Sequence, residues 1–452
     1  VDKIPPVKKL EGKIARIDSK DADFVVPDSR EGWVKLLGKV LKAYFYSGKG
    51  FTYSCVLVRG KGAPIKSFGG IASGPESFCK GLEQICGLLG NATGRQLTSV
   101  ECMDIMCIIG SIVVSGNVRR SAQIAIGDCN DIEYLSAKRW DKGNIPNWRA
   151  FSNNTVRCDD ITNLPDEFWE GYKGNGEPYG LFNRRLAREC GRVGDTRYPD
   201  PNVSGTNPCS EQTLENKEVC CLAEIFLPNV DSKDELFKCI KYLYRMCKRS
   251  LLLPCHLPET QDVVRKNMRI GIGITGYLQA REEQREWLPD AYTYVRDLDK
   301  KYSQEHKIPE SIKLTTVKPS GTLSLLGNCT SGIHPAYSQY YIRRVRFSSD
   351  SPLLKIAEDN GYYTEYVRRF DGSEQRDTKI VEFPCETPKG TLLAKDCTAI
   401  DQLEIVKRMN REWSDNAVSV TVYYRKEELD DIKTWLKNNF NDNLKAVSFL
   451  LH

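Results

Sequence analysis

Segments with the two-residue alternation of a β-strand take turns with segments of helical spacing along most of the chain, and this alternation constrains the fold more than any other feature. Ser29 is placed to cap a helix whose apolar face runs through Leu36, Leu37, Val40, Leu41 and Tyr44. Residues 52–58 alternate like a strand, 76–89 and 99–109 read as helices, and 119–126 as a strand. An amphipathic helix is expected over 236–253 and a buried strand over 268–274. Further strands are expected at 313–317, 340–347 and 418–424, a helix at 428–438, and an extended segment at 445–451. Residues 1–28 read as an irregular lead-in, and 61–75 and 128–165 as loops. Strands separated by helices predict an α/β fold whose strands are mostly parallel.

Composition excludes several classes. Hydrophobic residues make up 40% and charged residues 28% of 452, too apolar for a disordered chain. A net charge of +5 is small for this length and gives no basic surface for nucleic acid. The longest apolar run, 106–114, is interrupted by Gly110 and Ser111 and is too short to cross a bilayer. The 17 cysteines include no Cys-x-x-Cys pair, so neither a disulfide scaffold nor a zinc ribbon is indicated, and a reducing, cytoplasmic setting is expected.

Residues 204–224, Ser-Gly-Thr-Asn-Pro-Cys-Ser-Glu-Gln-Thr-Leu-Glu-Asn-Lys-Glu-Val-Cys-Cys-Leu-Ala-Glu, carry the most chemistry. Gly205 and Pro208 suggest a tight turn with Cys209 just past it. In an extended loop Asn207, Cys209 and Glu211 would face the same way, bringing an amide, a thiol and a carboxylate together. A second thiol, Cys220, follows at a distance from which a loop could return it. An isolated Pro-Cys is more often a structural turn with a buried cysteine, but a carboxylate buried beside a thiol is costly unless it is used. Pro319, Ser320, Gly321 and Thr322 follow an expected strand and could expose backbone N–H groups to an anion, or form an ordinary capped turn. Gly271, Gly273 and Gly276 fit G-x-G-x-x-G, yet the charged stretch 294–299 does not provide the second strand of a dinucleotide site. Close packing of a tight strand explains these glycines better. His334 reads first as a hydrogen-bonded loop residue, Cys221 as buried, and Cys329 as structural.

The segment from Asn207 to Glu211, with Cys220 after it, closely resembles the finger loop of adenosylcobalamin-dependent (class II) ribonucleoside-triphosphate reductases. Residues 68–75, 116–122, 318–322 and 332–335, the last leading to 341–346, resemble motifs of the same family and stand in its order. The resemblance implies a ten-stranded α/β barrel over residues 29–452 with the finger loop through its centre. It implies Cys209 as the radical carrier, Glu211 as a general base, Asn207 as a ligand for the sugar hydroxyls and Cys220 as one of two reducing thiols. Residues 319–322 would take the substrate's phosphates. Adenosylcobalamin is the implied cofactor and a ribonucleoside triphosphate the implied substrate. A thioredoxin-like reductant and a deoxynucleotide effector are the implied partners. No resident metal ligand set is indicated.

The family also carries a first redox cysteine upstream of the region matching Val1 and a cysteine pair in a C-terminal tail. This chain has no cysteine after Cys397, so it is expected to be cut at both ends. Other readings remain at this point: a non-catalytic or split-subunit fragment that binds nucleotide, a reductase whose radical comes from a separate metal subunit, and a nicotinamide dehydrogenase.

Overall fold

The computed structural model describes residues 3–65, 72–115, 122–143, 145–174, 176–368 and 372–452. Residues 68–71 and 116–121 of the expected motifs lie outside these.

One curved wall runs through most of the molecule. Gln123–Asp128 pairs in parallel with Ser152–Arg157, and Ser152–Arg157 in parallel with Gly180–Phe182. Gly180–Phe182 meets Ala446–Leu451 antiparallel, and Ala446–Leu451 is parallel to Thr421–Tyr424. Parallel bridges then join Val418 to Val317 and Thr315 to Ile272, and Gly271–Thr275 runs parallel to Leu222–Phe226. Two parallel sets, of three and five strand positions, therefore meet at one antiparallel seam. Eight of the ten positions implied by the resemblance are thus paired in one series among the described residues. Parallel neighbours need long crossovers, and Lys233–Ser250 supplies the helix between Leu222–Phe226 and Gly271–Thr275. Ser232 caps that helix, and its buried face, Leu236, Ile240 and Tyr244, joins the main core with Ile272 and Ile274.

A second core gathers Val7, Val26, Leu36, Val40, Phe78, Leu82, Ile85 and Ile108 around helices Arg30–Lys42, Glu76–Asn91 and Ser99–Val114. Ser29 caps the first of these, as expected from the sequence. The segment read as an irregular lead-in carries two short strands, Ala15–Arg16 and Phe24–Val25, which flank Thr52–Ser54. A separate antiparallel sheet is formed by Tyr340–Ser348, Glu374–Glu386 and Thr364–Arg368.

The expectation of loops over 128–165 is overturned by Ser152–Arg157, a central strand. Its sequence, Ser-Asn-Asn-Thr-Val-Arg, is polar because Ser152, Asn154 and Thr155 are buried with hydrogen-bonding work to do, so hydropathy gives no strand signal there. Leu288–His306 is one long helix across the stretch that reads as merely charged, and Ala399–Glu412 is a helix not anticipated at all. The glycine-rich strand Gly271–Thr275 is wholly buried, and a Cβ at Gly271 would lie 2.6 Å from Leu222 Cδ2. Gly276, at φ +75°, ends the strand against Pro228 and Cys329. These are close-packing glycines, as the absence of a dinucleotide signature suggests. Among the described residues no helix is long and apolar enough to cross a membrane.

Candidate active site

Cys209 sits at the tip of a short hairpin in which Gly205 and Thr206 pair with Leu214 and Thr213. The tip is not the extended loop expected from the sequence. Ser210 adopts φ +65°, and its N–H donates to Asn207 O at 2.9 Å. The Gln212 N–H donates to Asn207 Oδ1 at 2.9 Å, closing the turn. Alternation along a strand therefore does not align residues 207, 209 and 211. Cys209 is exposed, whereas Asn207 and Glu211 are buried.

Both parts of the barrel wall hold this tip. Asn153 Nδ2 donates to Pro208 O at 2.7 Å from the three-strand set. From the other set, Ser419 Oγ donates to Cys209 O, while the Ala417 N–H and Thr316 Oγ1 donate to Glu211 O at 3.0 and 2.5 Å. The hairpin thus crosses the barrel interior. The return segment is tied down by charge. Arg269, fully buried, donates to Glu218 Oε1 at 2.9 Å and to Asp200 Oδ2 at 2.6 Å. Glu218 Oε2 accepts the Glu215 N–H at 2.7 Å, and Lys313 lies 3.4 Å from Asp200. Burial, with Lys445 adding repulsion, pushes the Lys313 amine down to about 7.

This frame brings Cys209, Glu211 and Cys220 into one electrostatic environment. Burial raises the Glu211 carboxyl above the ordinary range, with the Asn207 amide and Lys318 offsetting part of the rise. Partial desolvation, then the Glu211 charge, raises the Cys209 thiol. The same causes push Cys220 up to about 12. Both thiols therefore hold their hydrogens at neutral pH, which suits hydrogen-atom transfer rather than thiolate attack. Cys221, next to Cys220, turns to the core and donates to Cys247 O. That assigns the exposed position to Cys220.

The turn 319–322 lies beside the same cluster. Ser320 takes φ +45° and donates its hydroxyl to Glu224 Oε1 at 2.6 Å. Among the described residues the Gly321 and Thr322 amides donate to no group of the chain. The helix expected after this turn is only the 3₁₀ turn Leu323–Gly327. Free amides and Lys318, rather than a helix dipole, are what this turn offers an anion.

Glu224 and Lys318 were quoted in the sequence motifs but assigned no role. Both belong to the site. The Glu224 side chain is 2% exposed, its Oε2 lies 3.8 Å from Lys318 Nζ, and desolvation pushes its carboxyl up to about 7. The alternation from Cys220 to Leu222 to Glu224 along one strand was the available signal.

Two cavities adjoin Pro319. One, of about 420 Å³, is lined by Asn153, Pro208, Cys209, Gly180, Ser419 and Val420. The other, of about 520 Å³, is lined by Gly321, Leu325, Tyr337, Tyr341 and Arg343. His334 borders the second, and both its nitrogens are engaged. Nδ1 donates to Ser331 O and Nε2 accepts the Thr421 N–H, each at 3.0 Å. It is the hydrogen-bonded loop residue expected from the sequence. Among the described residues no cluster of His, Cys, Asp and Glu could hold a metal ion.

A family model described as the ribonucleotide reductase barrel domain matches residues 152–284 and 310–450. The chain belongs to the ribonucleotide reductase family. A second model, the insertion domain of B12-dependent ribonucleotide reductase, matches residues 10–89 of this reductase chain. A "probable adenosylcobalamin-dependent ribonucleoside-triphosphate reductase" of Dictyostelium discoideum is 36% identical over 94% of the chain and 56% of its own length. The adenosylcobalamin-dependent ribonucleoside-triphosphate reductase of Euglena gracilis is 34% identical over 94% of the chain and 59% of its own length. The chain thus spans less than two thirds of these relatives. A crystal structure of a B12-dependent (class II) ribonucleotide reductase superposes with a TM-score of 0.84 at 28% identity, covering 100% of this chain and 70% of that one. The class Id α subunit of Actinobacillus ureae, at 13% identity and a TM-score of 0.51, shares the fold alone.

Proposed function

We propose that this chain forms the catalytic barrel of an adenosylcobalamin-dependent ribonucleoside-triphosphate reductase. The observation that carries the reading is the hairpin tip in the barrel interior, which sets two protonated thiols, Cys209 and Cys220, around the buried carboxyl of Glu211.

Cys209, exposed beside the first cavity, is the radical carrier: it gives up its hydrogen atom, and the thiyl then takes the 3′-hydrogen of the ribose. Glu211 accepts the 3′-hydroxyl proton, a role that suits a carboxyl raised toward neutrality by burial. The Asn207 carbonyl oxygen is spent on Gln212, leaving its amide N–H groups for a sugar hydroxyl. The 2′-hydroxyl leaves as water, and Cys220 with a second thiol supplies two hydrogens and two electrons, ending as a disulfide. Residues 319–322 take the phosphates. Adenosylcobalamin, when bound, supplies the radical that abstracts hydrogen from a thiol. The aromatic and cationic lining of the second cavity, Tyr337, Tyr341 and Arg343, suits part of a large ring-bearing, phosphate-bearing group. A thioredoxin-like protein re-reduces the disulfide, a deoxynucleotide tunes substrate choice, and the protein works in the cytoplasm.

The test is to incubate the chain with adenosylcobalamin, dithiothreitol and CTP and to record the paramagnetic signal. A signal absent from Cys209→Ala is expected. A signal that survives that substitution would refute the assignment of the radical to Cys209.

A further inference from the structure

We propose that Glu224 is a positioning residue for the nucleotide's phosphates, acting by fixing Ser320 and with it the turn 319–322. The inference rests on the nucleotide reading above and goes beyond it.

The carboxyl is held on the rigid strand Leu222–Phe226, in register with Gly273 of the neighbouring strand. A Cβ at position 273 would lie 3.0 Å from Glu224 Oε2, so the glycine leaves the space that the carboxyl occupies. One oxygen, Oε1, accepts the Ser320 hydroxyl at 2.6 Å, and the other is buried with no hydrogen-bond partner among the described residues. The charged and titratable groups around it are Lys318, Glu211 and the Cys329 thiol.

Ser320 needs this bond. It sits at φ +45°, a conformation that disfavours residues with a Cβ. Its carbonyl also accepts the Ser324 N–H at 3.1 Å, so its conformation sets where the next turn starts. Between these two anchored points the Gly321 and Thr322 amides remain unpaired. A charge-assisted bond from a buried carboxylate is strong and directional, and it costs nothing to reorganise when an anion arrives. Glu224 does not itself touch the phosphate, since like charges repel; it works through the serine.

The experiment is equilibrium dialysis of CTP against the full chain at about pH 8, where Glu224 is ionised. Glu224→Ala and Ser320→Ala are each expected to weaken CTP binding about tenfold. Glu224→Gln keeps an acceptor oxygen and is expected to bind within about threefold of the unsubstituted chain. The double variant Glu224→Ala/Ser320→Ala is expected to be no weaker than the weaker single variant, because both remove one bond. Should Glu224→Ala not fold, as judged by circular dichroism, Glu224→Met carries the comparison. CTP binding that falls with Ser320→Ala but ignores Glu224→Ala overturns this inference alone, as do additive losses in the double variant. CTP binding that is absent, or that ignores Ser320→Ala, overturns the phosphate reading and this inference with it.

Discussion

Replacing Arg269 by Met tests whether buried charge holds the return arm of the hairpin. Arg269 donates to Asp200 at 2.6 Å, to Glu218 at 2.9 Å and to Thr213 Oγ1 at 3.3 Å, with 1% of its side chain exposed. Methionine fills similar volume but leaves two carboxylates short of a cation. Breaking a buried pair from one side costs about 3–5 kcal/mol. Asp200 keeps Lys313 at 3.4 Å, and Glu218 keeps the Glu215 N–H and Asn267, so the lower end of that range applies. Folded domains hold only about 5–15 kcal/mol in total, so the loss is readily measured. The assay is guanidinium denaturation followed by tryptophan fluorescence, with hydrogen exchange on peptides covering 213–222. Exchange is expected to rise there first. Adding Glu218→Gln to Arg269→Met is expected to recover about 1 kcal/mol, because a neutral amide needs no cation. A loss below about 1 kcal/mol, or no recovery in the double variant, would refute the argument that these carboxylates are ionised and held by Arg269.

Three further outcomes are expected. The Glu224 carboxyl sits at about 7 in the folded chain against an ordinary 4.5, so the folded state binds more protons across that window; stability falls as pH rises through it, by up to about 1.4 kcal/mol per pH unit. Glu224→Gln is expected to flatten that slope in urea titrations at a series of pH values, and an unchanged slope would count against the assignment. Cys220, pushed up to about 12, is expected to react with iodoacetamide at about pH 8 far more slowly in the folded chain than in urea, although it is exposed; mass spectrometry showing equal rates would contradict the electrostatics. Gly276→Ala places a methyl 2.7 Å from Pro228 and 2.9 Å from Cys329 at φ +75°, and is expected to lower stability by about 2 kcal/mol or more in the same denaturation assay; a neutral substitution would mean that the strand end can relax.

The sequence made the helices legible where their apolar faces are continuous, as in Lys233–Ser250, and the strands where they are buried on both faces, as in Gly271–Thr275. It hid the strand that lines the site. Ser152–Arg157 faces the hairpin with hydrogen-bonding side chains, so its hydropathy is that of a loop. Leu288–His306 was hidden for the opposite reason: its buried face includes Arg296 and Asp299, charged residues paired inside the core with Asp415 and Lys248. The cluster of Cys209, Glu211 and Cys220 was legible as residue types, but the reason offered for their meeting was not the one the fold uses. A turn at Ser210, not strand alternation, brings them together. Glu224 and Lys318 could not be assigned from spacing, because their relation crosses from one barrel strand to the turn that follows another.

The barrel grips the hairpin tip by its main chain. The carbonyls of Pro208, Cys209 and Glu211 take the hydrogen bonds from Asn153, Ser419, Thr316 and Ala417. The side chains at 209 and 211 are guests in a socket whose shape does not depend on them. A substituted residue at either position inherits its predecessor's location, so the lost reactivity of such a variant reports chemistry with little contribution from altered placement. The same separation lets reactivity at the tip be retuned by changing one side chain, while the scaffold that aims it stays as it was.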